Sequence, residues 1–180
     1  MASIRVATLG PIGSGKTTIA NELAVQTGGV VGSFAQALRN EVYKAILVND
    51  GFVAAARAYR EMRDPETKDA WRPVLQAWGE MRRRQDPDYW VKKLEIVIDQ
   101  NETFFVDDCR YQNEYTMLER KGFVFIRLMG RSRYQDEHIL EHISEHQWRT
   151  FPAVEVLNTG AEPAEIAAII RSAFEPIGAT

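Results

Sequence analysis

Three observations predict an α/β fold built on a parallel sheet. Short apolar runs alternate with segments of helical patterning along the chain. Several of these runs read as apolar throughout rather than alternating, as expected of strands covered on both faces. A glycine-rich turn joins the first apolar run to the first helical pattern.

In order, Ile4–Leu9 is the first strand, and a helix from Lys16 to about Gln26 is ended by Gly28 and Gly29. Val30–Ser33 is a short second strand. Phe34–Val48 and Val53–Met62 read as two helices separated by the turn signal Asn49-Asp50-Gly51. Arg63–Lys68 is a charged loop and Arg72–Arg84 a helix. Asp86-Pro87-Asp88 opens another helix, to about Gln100. Thr103–Val106 is a buried strand ending at Asp107. Gln112–Lys121 is a helix stopped by Gly122, and Phe123–Leu128 the next strand. Arg131–Arg149 is polar and largely helical, Val154–Leu157 a last strand and Pro163–Phe174 a last helix.

Composition excludes several classes. A chain of 180 residues with 45% hydrophobic and 26% charged side chains can bury a core without disulfides or a structural metal. A net charge of −3 argues against a nucleic-acid coat and against a polybasic membrane anchor. The single cysteine, Cys109, excludes an intramolecular disulfide and a cysteine-based zinc site, and fits a reducing compartment. The opening MASIRVATLG is too short and too polar for a signal peptide, and no apolar run approaches a membrane span. A cytoplasmic location, with neither nucleic acid nor membrane as partner, is the expectation.

The strongest motif is Gly10-Pro11-Ile12-Gly13-Ser14-Gly15-Lys16-Thr17, which satisfies G-x-x-x-x-G-K-[ST]. A triphosphate tail needs several donors converging on its oxygens. Glycines let the backbone curl so that successive N–H groups point inward, and the following helix adds its positive end. Lys16 supplies a mobile charge for the β and γ phosphates, and Thr17 a hydroxyl for Mg²⁺. An apolar strand before the loop and a helix after it give the required context. Asp107-Asp108 directly follows an apolar strand, where the second half of such a site holds Mg²⁺ beside the threonine. Either acid could instead cap the next helix. Arg110 adds a cation at the same carboxyl edge of the sheet, where ligands of open α/β folds bind.

With these residues in place the chain resembles the deoxynucleoside monophosphate kinases of bacteriophages, within the P-loop nucleoside monophosphate kinase superfamily. The resemblance runs in order through most of the chain. It starts with Gly10–Thr17, then Ser33-Phe34-Ala35 with Leu38-Arg39, and Arg72-Pro73 with Leu75-Gln76 and Gly79. It continues through Asp88–Trp90, Asp107-Asp108-Cys109-Arg110 with Asn113-Glu114, His142-Ile143-Ser144-Glu145, and Asn158-Thr159-Gly160. It implies a single domain with a three-layer αβα P-loop kinase fold, a helical acceptor-binding region over 34–100 and a lid over 129–149. It implies transfer of the ATP γ-phosphoryl group to a deoxynucleoside monophosphate, with Mg²⁺.

The roles it implies are these. Gly10, Gly13, Ser14, Gly15, Lys16, Thr17, Thr18 and Asn158 bind ATP. Thr17 and Asp107 hold the metal. Lys16, Asp107, Arg110 and the lid arginines Arg131 and Arg133 act on the moving phosphoryl group. Ser33, Phe34, Arg39, Arg72, Gln76, Trp78, Asp108 and Arg110 bind the acceptor. Phe34 and Trp78 are the stacking candidates for a base, although aromatic residues on helices are more often core. Gln76 would read a base edge. In Arg82-Arg83-Arg84, consecutive helical residues point in different directions, so a solvated face is the better reading for most of the run.

His138, His142 and His146 share one helical face at i, i+4 spacing, but no further ligand cluster joins them, and a polar lid helix explains them better than a metal. Cys109 reads as a small packing residue. The alternatives keep the loop and change the partner. One is a small-metabolite kinase, such as one acting on dephospho-coenzyme A, and another is a non-kinase P-loop ATPase. A GTPase switch is disfavoured because neither Asp-x-x-Gly nor Asn-Lys-x-Asp occurs. The oligomeric state is open between monomer and homodimer.

Overall fold

The computed structural model describes residues 3–129, 146–157 and 161–174. They divide into two compact units, one formed by residues 1–33 and 95–180, the other by 34–94.

The first unit is a five-stranded parallel sheet with helices on both faces. Its strands are β1 (Arg5–Leu9), β2 (Val30–Gly32), β3 (Phe104–Val106), β4 (Val124–Met129) and β5 (Val154–Leu157), in spatial order β2-β3-β1-β4-β5. β1 is central, with Ala7 opposite Val106 on one side and Phe125 on the other. One face is packed by α1 (Lys16–Thr27) and the last helix, α6 (Pro163–Ser172), through Val6, Ile19, Leu23, Phe105, Ile126 and Ile170. On the opposite face Tyr115 of α5 (Gln112–Arg120) stacks on Phe125 with ring centroids 4.1 Å apart. All three β3 residues are buried, which is why this strand reads as apolar throughout. α1 ends where the left-handed Gly28 turns its N–H onto the Ala24 carbonyl at 2.8 Å, and α6 starts on Pro163.

The second unit is helical. Its α2 (Phe34–Glu61) consists of two helical segments that meet at a kink at Gly51, within the turn signal that separates the two expected helices. Asn49 and Asp50 stay helical, and Gly51 alone breaks the element, at φ 83° and ψ 175°. The two halves of α2 pack on each other, since Gln36 bonds the Tyr59 hydroxyl at 2.8 Å and the Tyr43 and Tyr59 rings meet edge to face. The next helix, α3 (Lys68–Gln85), starts ahead of the expected Arg72. Turn hydrogen bonds from Lys68 N–H to the Asp64 carbonyl and from Ala70 N–H to that of Thr67 set its first turn before Pro73 is reached. α4 (Tyr89–Ile98) carries the boundary back to the first unit. No helix among the described residues is long and apolar enough to cross a membrane.

Candidate nucleotide-binding site

The loop after β1 adopts the curl that its glycines allow. Gly10, Gly13 and Gly15 have φ of 143°, 79° and 92°, a range that strains any residue with a Cβ. A Cβ at Gly10 would also sit 2.8 Å from the Leu128 carbonyl oxygen of β4. Ser14 is buried, and its N–H closes the turn onto the Pro11 carbonyl at 3.2 Å. α1 then begins on Gly15 with no side-chain cap and no acid in its first turn, so its positive end is left for an anion. The Lys16 ammonium folds back over the loop, donating to the carbonyls of Gly10 at 2.9 Å and Pro11 at 2.7 Å.

Thr17 and Asp107, ninety residues apart, meet directly. The threonine hydroxyl donates to Asp107 Oδ2 at 2.6 Å. The other carboxylate oxygen, Oδ1, is buried with no hydrogen-bond partner. A buried, unmatched carboxylate oxygen next to a hydroxyl suits a small hard divalent cation such as Mg²⁺, which takes few protein ligands and keeps several waters. Among the described residues no cluster of three or more acidic, histidine or cysteine side chains offers another metal cage. Thr18 is exposed beside Thr17.

Asp108 and Arg110 are half-buried after Asp107. Here the structure adds a residue that the sequence reading left without a role. Glu114, 2% exposed, accepts the backbone N–H groups of Arg110 at 2.8 Å and Tyr111 at 3.1 Å and so fixes the backbone that carries Arg110. Its signal was local, a glutamate at the third position of the helix starting at Gln112. Cys109 is buried between them. Burial, then the nearby charges of Glu114 and Asp108, push its thiol well above the usual value, so it packs as a neutral group. Arg127 bridges β4 to β5 through Glu155 and the Phe151 carbonyl.

Of the acceptor-binding candidates, Ser33, Asp108 and Arg110 belong to the first unit and Phe34, Arg39, Arg72, Gln76 and Trp78 to the second. Phe34 is 4% exposed, as a core ring would be. Ser33, Arg39, Gln76 and Trp78 are half-buried, and Arg72 pairs with Asp69 at 2.7 Å. The Trp78 indole N–H donates to Glu41 at 3.1 Å. Glu41 was not singled out from the sequence, yet it also accepts from Arg82 and from the Tyr89 hydroxyl at 2.6 Å. Partial burial pushes its carboxyl up, but the bonds from Tyr89, Trp78 and Arg82 outweigh this and hold it below the usual range. Tyr89 is correspondingly raised, by that bond and by burial. Arg82 is thus engaged within the protein, while Arg84 is exposed. Trp90 is core, with its indole N–H on the Gly79 carbonyl. The lid candidates Arg131 and Arg133, Asn158, His138 and His142 lie outside the described residues.

Comparison with solved structures places the fold. The shikimate kinase of Aquifex aeolicus superposes with a TM-score of 0.51 at 10% sequence identity, over 94% of this chain and 95% of that one. The gluconokinase of Sinorhizobium meliloti gives 0.44 at 15% identity, over 92% and 88%. The parallel sheet and its loop belong to the P-loop kinase fold. No protein-family model and no curated protein matches the chain.

Proposed function

We propose that the chain is an ATP-dependent phosphotransferase whose acceptor is a (deoxy)nucleoside monophosphate. The observation that carries the nucleotide half is the Thr17–Asp107 hydrogen bond, which joins the glycine loop to a carboxylate with one unmatched oxygen. The acceptor half is supported by the ordered motifs from Ser33 to Arg110.

An acceptor phosphate oxygen attacks the γ-phosphorus in line, the bond to the β–γ bridging oxygen breaks, and ADP leaves with that electron pair. No covalent enzyme intermediate is required. Lys16 exchanges the carbonyls of Gly10 and Pro11 for phosphate oxygens, while the curled loop and the start of α1 supply N–H donors. Arg110, on a backbone held by Glu114, offers its guanidinium to the transferred group, with Arg131 and Arg133 as further cations from the lid region. Thr17 and Asp107 would hold Mg²⁺, which when bound neutralises phosphate charge.

The test is ADP release from ATP and Mg²⁺ across a panel of ribo- and deoxynucleoside monophosphates, with shikimate, gluconate and dephospho-coenzyme A alongside. Stimulation by at least one nucleotide is expected. Stimulation by a non-nucleotide alone would transfer the assignment to a small-metabolite kinase, in keeping with the names of the two structural neighbours. Stimulation by none would defeat the acceptor assignment.

A further inference from the structure

Around the Gly51 kink the second unit leaves a run of apolar side chains in water. Val48 is 84%, Phe52 69% and Val53 81% exposed, and Leu47 is exposed beside them. Single apolar side chains on a surface are ordinary, but these four stand within one turn of chain. Together they expose on the order of 400 Å², a size at which a patch on a monomer marks an interaction site.

Beside this ridge lies a groove of about 750 Å³ between the two halves of α2 and α3. Its walls include Val42, Ile46, Ala54, Trp71 and Val74, and Asp50 and Val53, on either side of the kink, line it as well. Arg57 and Glu61 also line it and pair at 2.8 Å, while Glu61 accepts the Trp71 indole N–H at 3.2 Å.

Three features match this face to a second copy of the chain. A twofold axis sets a surface against itself, so the surface must carry both a projection and a hollow. This one carries the ridge and the groove together. It must also carry both signs of charge, since a patch of one sign repels its own copy. Asp50 has no ion pair among the described residues, and the Arg57 side chain, 75% exposed, has donors left beyond Glu61. When the second halves of α2 from two copies lie antiparallel, Asp50 of each faces Arg57 of the other. The size also fits, because the ridge and the groove walls together approach the roughly 800 Å² per partner of a standard interface. A lipid surface fits less well, since Asp50 and Glu61 would be pressed against anionic headgroups.

We infer that this face joins two copies of the chain in an isologous dimer. The Val48–Val53 ridge of each copy enters the groove of the other, and Asp50 of each copy pairs with Arg57 of the other.

Sedimentation equilibrium of the full chain between about 1 and 100 µM measures the association. Wild type is expected to reach twice the mass of one chain, with a dissociation constant of about 10 µM or lower. Phe52→Glu and Val53→Glu are each expected to raise that constant about 100-fold or more, because an unpaired carboxylate replaces apolar contact. Ile169→Glu, at an equally exposed position on α6, is expected to leave it unchanged. Asp50→Arg and Arg57→Glu should each weaken self-association about ten-fold. An equimolar mixture of these two variants is expected to dimerise as tightly as wild type, since every contact in the mixed pair again joins opposite charges. Circular dichroism checks that each variant is folded, and Phe52→Ser replaces a glutamate variant that is not.

Wild type that stays monomeric throughout would overturn the dimer, including a monomer that binds anionic vesicles through Phe52. A dimer untouched by Phe52→Glu and Val53→Glu would put the interface elsewhere and overturn the assignment of this face. A mixture that associates no better than its two components would overturn the antiparallel pairing.

Discussion

Lys16 rests on two carbonyl oxygens of its own loop, a position from which a phosphate can recruit it without rebuilding the backbone. Lys16→Ala is therefore expected to lower transfer by about 100-fold or more, leaving the melting temperature within about 4 °C of wild type. Retention of full activity would remove the loop from the mechanism. Gly10→Ala should behave differently. Its methyl would strike a backbone oxygen at 2.8 Å from a left-handed conformation, so a loss of about 2 kcal/mol or more is expected in denaturant titration.

These residues were legible because the motif is contiguous and its spacing states its geometry. Asp107 was legible because it ends an apolar strand. Glu41 was not, because its partners Trp78, Arg82 and Tyr89 stand 37, 41 and 48 positions away on other helices. No local pattern encodes that convergence.

At the level of elements, α2 depends on two residues of opposite kind. Gly51 sits where only glycine rests comfortably, so Gly51→Ala should cost about 1–3 kcal/mol although nothing crowds the position. Glu41 ties α2 to α3 and α4 through three donors. Its folded carboxyl titrates below the 4.5 of a free glutamate. The associated stability is therefore complete above that value and disappears as the pH falls through the depressed one. Glu41→Gln should flatten this part of the acid-stability curve. An unaltered acid limb would deny the network any energetic role.

Helix positions followed from apolar periodicity, and their ends from Gly28 and Pro163. The early start of α3 did not, because turn hydrogen bonds around Asp64 and Thr67 outweigh the boundary that Pro73 suggests.

At the scale of the whole molecule, the alternation of strands and helices was enough to foresee a parallel sheet covered on both faces. The order β2-β3-β1-β4-β5 was not readable, since strand pairing is a long-range choice among short apolar runs of similar composition. Nucleotide binding should be visible here as linkage. ATP with Mg²⁺ at about 100 times its dissociation constant should add about 2.7 kcal/mol to the stability of the sheet unit, raising its melting temperature by several degrees. Asp107→Asn should shrink the Mg²⁺-dependent part of that rise. An equal rise in wild type and variant would separate Asp107 from the metal.

The helical unit is an uninterrupted stretch, 34–94, set inside a sheet unit whose chain is split around it. That order matters during synthesis. β1 emerges early, yet its two neighbours in the sheet are residues 104–106 and 124–129. On the ribosome a strand whose last four residues are buried in the finished fold must therefore wait, both edges unpaired, while the whole of α2 and α3 is made. The inserted helices hold mostly local contacts and can fold first. The nascent chain thus passes through a stage with a finished helical unit and an orphaned strand, which is when this protein is most exposed to aggregation and to chaperones.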